Sequence, residues 1–157
     1  MDDTTKTIVE RVTVRYPKPQ KISSGDVCTV FYDCIRLSPA ELARLAAEAT
    51  GDLVEEAFDM TVGIAYTGIL FAAAVAGGKQ VAILTTQKDL TGPAVLGRKV
   101  VVVDDVVHSG GRMGEAADIV AKAGGIVVGF AAIIDRSDGQ FGSAAKPLWS
   151  AYQTNME

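Results

Sequence analysis

The chain is short of the residues that build metal centres and disulfide frameworks. Its 157 residues include one histidine, His108, and two cysteines, Cys28 and Cys34. A single imidazole argues against a histidine-based metal centre. The two cysteines lie six positions apart in a strand-like segment. They read as buried free thiols rather than as a disulfide or a metal clip. Basic runs are missing too. Lys and Arg number 15 against 19 Asp and Glu, a net charge of −4, which gives a nucleic-acid partner no electrostatic support. Only the first 20 residues are locally cationic, and such a stretch reads as a solvated edge. No apolar run reaches the length of a bilayer span, and no charged-then-apolar leader opens the chain. No membrane partner is therefore expected, and the expected location is cytoplasmic. Internal repeats and low-complexity segments are absent as well. What remains is a 16.4 kDa chain with 48% hydrophobic residues, enough for one domain over residues 1–157 with a substantial core.

Strand and helix patterns alternate along it. Ile8 to Val14 shows short alternation, after which Pro17 and Pro19 are expected to break regular structure. Val27 to Ile35 is rich in β-branched and aromatic residues and predicts a strand. Ser38 and Pro39 predict a helix start, and Glu41 three positions on completes a capping box before an alanine-rich run to about Phe58. Met60 to Ala65 predicts a strand, Gly68 to Gly77-Gly78 a short apolar helix, and Val81 to Thr85 a third strand. Residues 86–98, with Gly92, Pro93 and Gly97, read as a loop. A helix over Gly111 to Ala123 places Met113, Ala116, Ala117 and Val120 on one face, and Gly124 ends it. Ile126 to Ile134 is a continuous apolar strand closing at Asp135 and Arg136, and the mixed tail packs Pro147, Trp149 and Tyr152 onto the body. This alternation implies an α/β fold with a mostly parallel sheet. Ligands of such sheets bind beyond the carboxyl ends of the strands. Three candidate loops fall there: 65–68, 85–98 and 104–112.

Residues 100–112 carry the most chemistry. Val100 to Val103 suit a strand buried on both faces. Asp104 and Asp105 follow at its carboxyl end, then Val106, Val107 and His108, then Ser109, Gly110, Gly111 and Arg112 at the start of the next helix. A small flexible loop at a helix N-terminus offers backbone N–H groups to a phosphate. The acid pair beside it can hold sugar hydroxyls or a hydrated magnesium ion. Together they suggest a phosphorylated sugar.

This run resembles the 5-phosphoribosyl-1-pyrophosphate (PRPP) signature of the type I phosphoribosyltransferase family, with His108 where Thr is usual and Arg112 where Thr, Ser or Ala is usual. The resemblance implies a Rossmann-like α/β fold, its mostly parallel sheet flanked by helices, with a small hood made from residues 22–38 and 136–157. It also implies that Asp104 and Asp105 contact the ribose hydroxyls while His108 to Arg112 wrap the 5-phosphate, with Val106 and Val107 belonging to the same PRPP-binding run. Gly63 to Ile69 is similar to the family's pyrophosphate loop, giving Ala65, Tyr66, Thr67 and Gly68 to that group. Ser23-Ser24-Gly25, Phe31-Tyr32-Asp33 and Arg36-Leu37-Ser38 resemble the hood of the orotate branch. That places Ser24, Phe31 and Tyr32 by the base and gives Arg136 the carboxylate of orotate. Magnesium is implied as the cofactor that accompanies PRPP, with no direct protein ligand. The implied partners are PRPP, a nucleobase and a second copy of the chain.

The departure from that branch lies in residues 85–92, Thr-Thr-Gln-Lys-Asp-Leu-Thr-Gly. The branch carries a longer mobile loop here with Arg-Lys, a second Lys and His, usually received by the neighbouring subunit. Here Lys88 alone stands for these cations, Thr67 replaces a common Lys, and Leu90 occupies the histidine region. A catalytic role for Lys88, Asp104 and Asp105 follows from the resemblance. Two other readings stay open: a non-catalytic PRPP- or nucleotide-binding regulator on the same fold, favoured by the thinned cations, and another phosphosugar-binding α/β protein.

Overall fold

A computed structural model describes residues 2–22 and 25–155. The chain opens with helix α1 (Asp3–Val12) and strand β1 (Thr13–Lys21), followed by β2 (Val27–Tyr32) and α2 (Pro39–Thr50). Next come β3 (Met60–Ile64), α3 (Thr67–Ala76), β4 (Gln80–Leu84) and a two-residue β5 (Leu90–Thr91). The chain closes with β6 (Lys99–Val107), α4 (Gly111–Lys122), β7 (Ile126–Asp135) and β8 (Leu148–Gln153). Six strands form one sheet in the order β5-β4-β3-β6-β7-β8, and β1 and β2 form a separate two-stranded antiparallel sheet. All neighbours in the large sheet are parallel except β5, which returns antiparallel along β4. The α/β expectation with a mostly parallel sheet holds.

The sheet is buried on both faces, and β6 at its centre shows how. Val101 and Val103 join a core with residues of α1, α2 and α3, while Val100 and Val102 join a second core with Met113, Ala116 and Val120 of α4. Successive strand side chains point to opposite faces, so a run of valines feeds two cores at once. Helix α2 begins as its sequence predicts. The Ser38 hydroxyl accepts from the Glu41 N–H at 3.2 Å, and the Glu41 carboxylate accepts from the Ser38 N–H at 2.9 Å. The helix stops at Thr50, short of the expected Phe58.

Three segments differ from expectation. Ile8 to Val12 is helical, because Asp2 caps α1 by accepting from the Thr5 N–H at 2.7 Å. Thr5, Ile8, Val9 and Val12 are its buried residues, at helical rather than strand spacing. Pro17 and Pro19 do not break the chain; they lie within β1. The pairing register with β2 slips between Arg15 and Gln20, so the prolines lie where no ladder partner is recorded. Residues 136–157 are not hood throughout, since β8 is the parallel edge strand beside β7. Among the described residues no helix is long and apolar enough to cross a membrane.

Ser38→Ala should lower stability by about 1 kcal/mol, a typical loss for an N-cap hydroxyl. This is roughly a 3 °C drop in Tm for a chain of this size, readable by thermal unfolding. An unchanged Tm would mean the capping box does not hold α2.

Candidate active site

The carboxyl ends of β3, β4 and β6 converge as the sheet topology requires. Strand β6 carries the acid pair inside its last turn of pairing rather than beyond it, ending at Val107. Asp104 is 1% exposed. Its Oδ1 accepts from the Asp105 N–H at 2.8 Å, and its Oδ2 lies 3.6 Å from Arg112 Nε. Burial pushes the Asp104 carboxyl well above the usual carboxylate range, the neighbouring Asp105 pushes it further, and the Arg112 guanidinium opposes both. Asp105 is half-buried, with its Oδ1 accepting from the Val106 N–H at 2.8 Å.

Two adjoining cavities share this strand end. The first, about 390 Å³, is walled by Phe31 and Tyr32 from the hairpin, Ala65 to Thr67 before α3, Asp105, and Arg136. The second, about 350 Å³, is walled by Asp104, by Val107 to Gly111, and by Met113 and Glu115 of α4. Val106, His108 and Arg112 border both. Arg112 also donates to the Ala65 carbonyl at 3.3 Å, tying the loop after β6 to the loop after β3. Gly110 has φ +90°, and a Cβ there would lie 2.0 Å from the Phe141 ring. No other residue fits both that backbone and that approach. Gly68 does not border either cavity. It packs under the site, where a Cβ would come within 3.0 Å of the Asp104 Cα.

Arg136 follows β7 and is 2% exposed, not a surface residue at a strand end. Its Nη1 donates to the Val30 carbonyl at 2.7 Å and its Nε to the Asn155 carbonyl at 3.3 Å. The guanidinium stands 5.2 Å from the Tyr32 ring centroid. Among the described residues its Nη2 is buried without a hydrogen-bond partner and no carboxylate pairs with it. His108 is held below the ordinary histidine range, first by burial and then by the Arg136 charge; Asp26 and Asp105 oppose this and Arg112 adds to it. Cys28 and Cys34 are buried free thiols, as expected, and burial together with Asp105, Asp33 and Asp104 pushes the Cys34 thiol well up.

Lys88 stands apart from both cavity walls, with its Nζ 2.6 Å from Glu115 Oε1. Ser24 lies outside the described residues. Four wall residues were not singled out from sequence: Ile22, Thr86, Met113 and Glu115. Met113 and Glu115 face the cavity because α4 starts at Gly111, and periodicity assigned Met113 only to the core. Ile22 and Thr86 carry no motif that could have marked them.

A buried acid pair, a glycine-shaped anion cradle on the next helix and a second loop at the neighbouring strand end define the phosphoribosyltransferase class. A model of the phosphoribosyl transferase domain matches residues 76–148. The orotate phosphoribosyltransferase of Chlorobium phaeobacteroides is 30% identical over 137 residues, covering 80% of this chain and 70% of that one. The crystal structure of orotate phosphoribosyltransferase from Aeropyrum pernix superposes with a TM-score of 0.75 at 22% identity, covering 95% of this chain and 93% of that one. That of Mycobacterium tuberculosis orotate phosphoribosyltransferase in complex with PRPP superposes at 0.72 and 24% identity, covering 96% and 94%. The chain belongs to the type I phosphoribosyltransferase family, in its orotate branch.

The raised Asp104 gives a stability prediction with a definite sign. The folded state keeps this proton to higher pH than the unfolded chain does, so the group lowers stability as pH rises out of the ordinary carboxylate range. Asp104→Asn should therefore stabilise the ligand-free protein at neutral pH by about 1 kcal/mol, roughly a 3 °C rise in Tm. The gain should shrink as pH falls through the ordinary carboxylate range and vanish below about pH 3, where the carboxyl is neutral in both states. A lower Tm at neutral pH would contradict the burial argument.

Proposed function

We propose that the protein transfers the 5-phosphoribosyl group of PRPP to orotate, forming a nucleoside monophosphate and releasing pyrophosphate. The observation that carries this reading is Arg136. Among the described residues no carboxylate pairs with this buried guanidinium, an unfavourable arrangement, and it borders the same cavity as Asp105. A flat, carboxylated base is the ligand that would relieve it, accepting from the guanidinium while Phe31 and Tyr32 flank the ring.

The reaction needs little covalent help. A ring nitrogen of the base forms a bond to the anomeric carbon as the bond from that carbon to the pyrophosphate oxygen breaks, and the leaving oxygen keeps the electron pair. The protein contributes positioning and charge stabilisation. In this reading Asp104 and Asp105 hold the ribose hydroxyls. The N–H groups from His108 to Gly111 and the Arg112 fork hold the 5-phosphate. Ala65 to Thr67 receive the pyrophosphate at the start of α3, with Gly68 packed beneath them, and Lys88 stands in for the cations of the family's loop.

Magnesium fits as a companion of the substrate rather than as a resident ion. Among the described residues no group of three or more His, Cys, Asp and Glu side chains is arranged to hold a metal, and Asp104 already spends one oxygen on a backbone N–H. When bound, magnesium would screen pyrophosphate charge while keeping several waters. A cytoplasmic homodimer completes the proposal; two buried free thiols suit a reducing compartment.

Titration with PRPP and magnesium tests the reading. At about 100 times Kd the ligand should add roughly 2.7 kcal/mol of stability, and pyrophosphate should then be released with orotate but not with uracil. Binding without release from any base would favour a PRPP sensor instead. No thermal shift would reject both. The pair Asp104→Asn and Asp105→Asn should abolish the shift while leaving the far-UV spectrum intact, and retained affinity would contradict the ribose assignment. Arg136→Gln should raise the KM for orotate at least tenfold, about 1.4 kcal/mol, with the PRPP shift kept. Equal loss for PRPP and orotate would mean that Arg136 only fastens the hairpin.

A further inference from the structure

His108 is the chain's single imidazole and the first residue after β6. It is half-buried and borders both cavities. The N-terminus of α4 follows at Gly111, and the positive end of a helix disfavours a further cation there. Arg136 after β7 and Arg112 of α4 bring two guanidinium charges to bear on the ring, against the carboxylates of Asp26, ahead of β2, and Asp105 of β6. The remaining charged residues of the two cavity walls are Asp104 and Glu115. Asp104 holds its proton to raised pH, and Glu115 is paired with Lys88. The backbone at this point is fixed from two sides. The Arg136 N–H donates to the Val107 carbonyl at 2.7 Å, and Gly110 is packed against the Phe141 ring. Burial, two guanidiniums and a helix end therefore all favour the neutral ring in the ligand-free protein.

A phosphoryl group reverses that balance. Ser109, Gly110 and Gly111 wall the second cavity beside His108, so an anion received by their N–H groups adds about 1.5 to 2 negative charges next to the ring. We propose that the His108 side chain is itself a ligand of the 5-phosphate and gains a proton as that phosphate binds. This deepens the PRPP reading above and rests on it. The proton comes from solvent. The neutral ring nitrogen takes it, the imidazolium donates to a phosphate oxygen, and no other bond forms or breaks. A hydrogen bond between two ions is roughly twice as strong as one between neutral groups, and this one exists only with the ligand in place. The sign follows from linkage. A ring that holds its proton more tightly in the complex makes the complex tighter as pH falls, by up to about tenfold per pH unit between the two titration midpoints. The 5-phosphate acts in the opposite sense, because it loses its second charge as pH falls through about 6. The two contributions separate when the ring is observed directly and when affinities are compared with a variant that cannot charge.

Because the chain has one histidine, its ring C2–H resonance is unambiguous in a proton NMR titration. The wild type is titrated alone, with ribose 5-phosphate, with pyrophosphate and magnesium, and with PRPP and magnesium. Ribose 5-phosphate and PRPP should each raise the titration midpoint by about one pH unit or more, a tenfold difference in affinity between the charged and neutral ring. A rise with pyrophosphate but not with ribose 5-phosphate would overturn the assignment to the 5-phosphate. His108→Asn keeps a polar side chain that cannot charge. The ratio of its Kd for PRPP to that of the wild type should grow about tenfold between about pH 8 and about pH 6, since the titrations of Asp104 and of the phosphate are common to both proteins. A constant ratio would mean that the ring only fills space. Should the variant fail to fold, the wild-type NMR titration decides alone. A midpoint unmoved by PRPP, in a wild type whose Tm does respond to it, removes the role of His108 and leaves the PRPP reading standing. A wild type whose Tm does not respond to PRPP removes both.

Discussion

The site depends on keeping a carboxylate near the end of a strand buried on both faces of the sheet. Asp104 is enclosed with valines before it and Asp105 after it, and the only cation within ion-pair reach among the described residues is Arg112 at 3.6 Å. That contact is too long for a strong hydrogen bond, so it moderates the charge without cancelling it. Arg112 also bonds the Ala65 carbonyl, so one guanidinium spaces the two anion-binding loops and softens the buried acid. Close packing of Gly68 beneath the Asp104 backbone fixes the remaining distance. The protein thus holds stability in reserve at the place where a polyol can accept what the interior cannot.

Charge is arranged in a gradient around that acid. The carboxylates of Asp104 and Asp105 lie at the seam of the two cavities, Arg112 sits between them, and Arg136 and the neutral-leaning His108 lie on the hairpin side. A ligand with hydroxyls at its centre and anionic groups at its ends matches this pattern.

Much of this was legible in the residues. Four valines followed by two adjacent aspartates marked a strand buried on both faces and its carboxyl end, a pattern no other segment of the chain repeats with an acid pair. The Ser38 box and the Gly111 start were equally plain, since capping is local chemistry. What depended on distant contacts was not legible. Helix α1 has too few apolar positions to stand out, and its cap, Asp2, precedes them. Strand β8 carries Trp149 and Tyr152 without alternation because it packs at a sheet edge. The depth of Arg136 depends on Val30 and Asn155, far away in sequence. The short turn around Lys88 was visible as a departure from the branch, but its pairing with Glu115 needed the fold.

The β1–β2 ribbon shares no backbone ladder with the main sheet, and two strands alone are marginal in water. The bond from Arg136 to the Val30 carbonyl is one of its few fixed attachments. An anion seated beside that guanidinium would therefore do more than occupy a pocket. By steadying the side chain it would slow the fraying of the ribbon, so that resistance to proteolytic nicking at this end of the molecule becomes a function of which base is present.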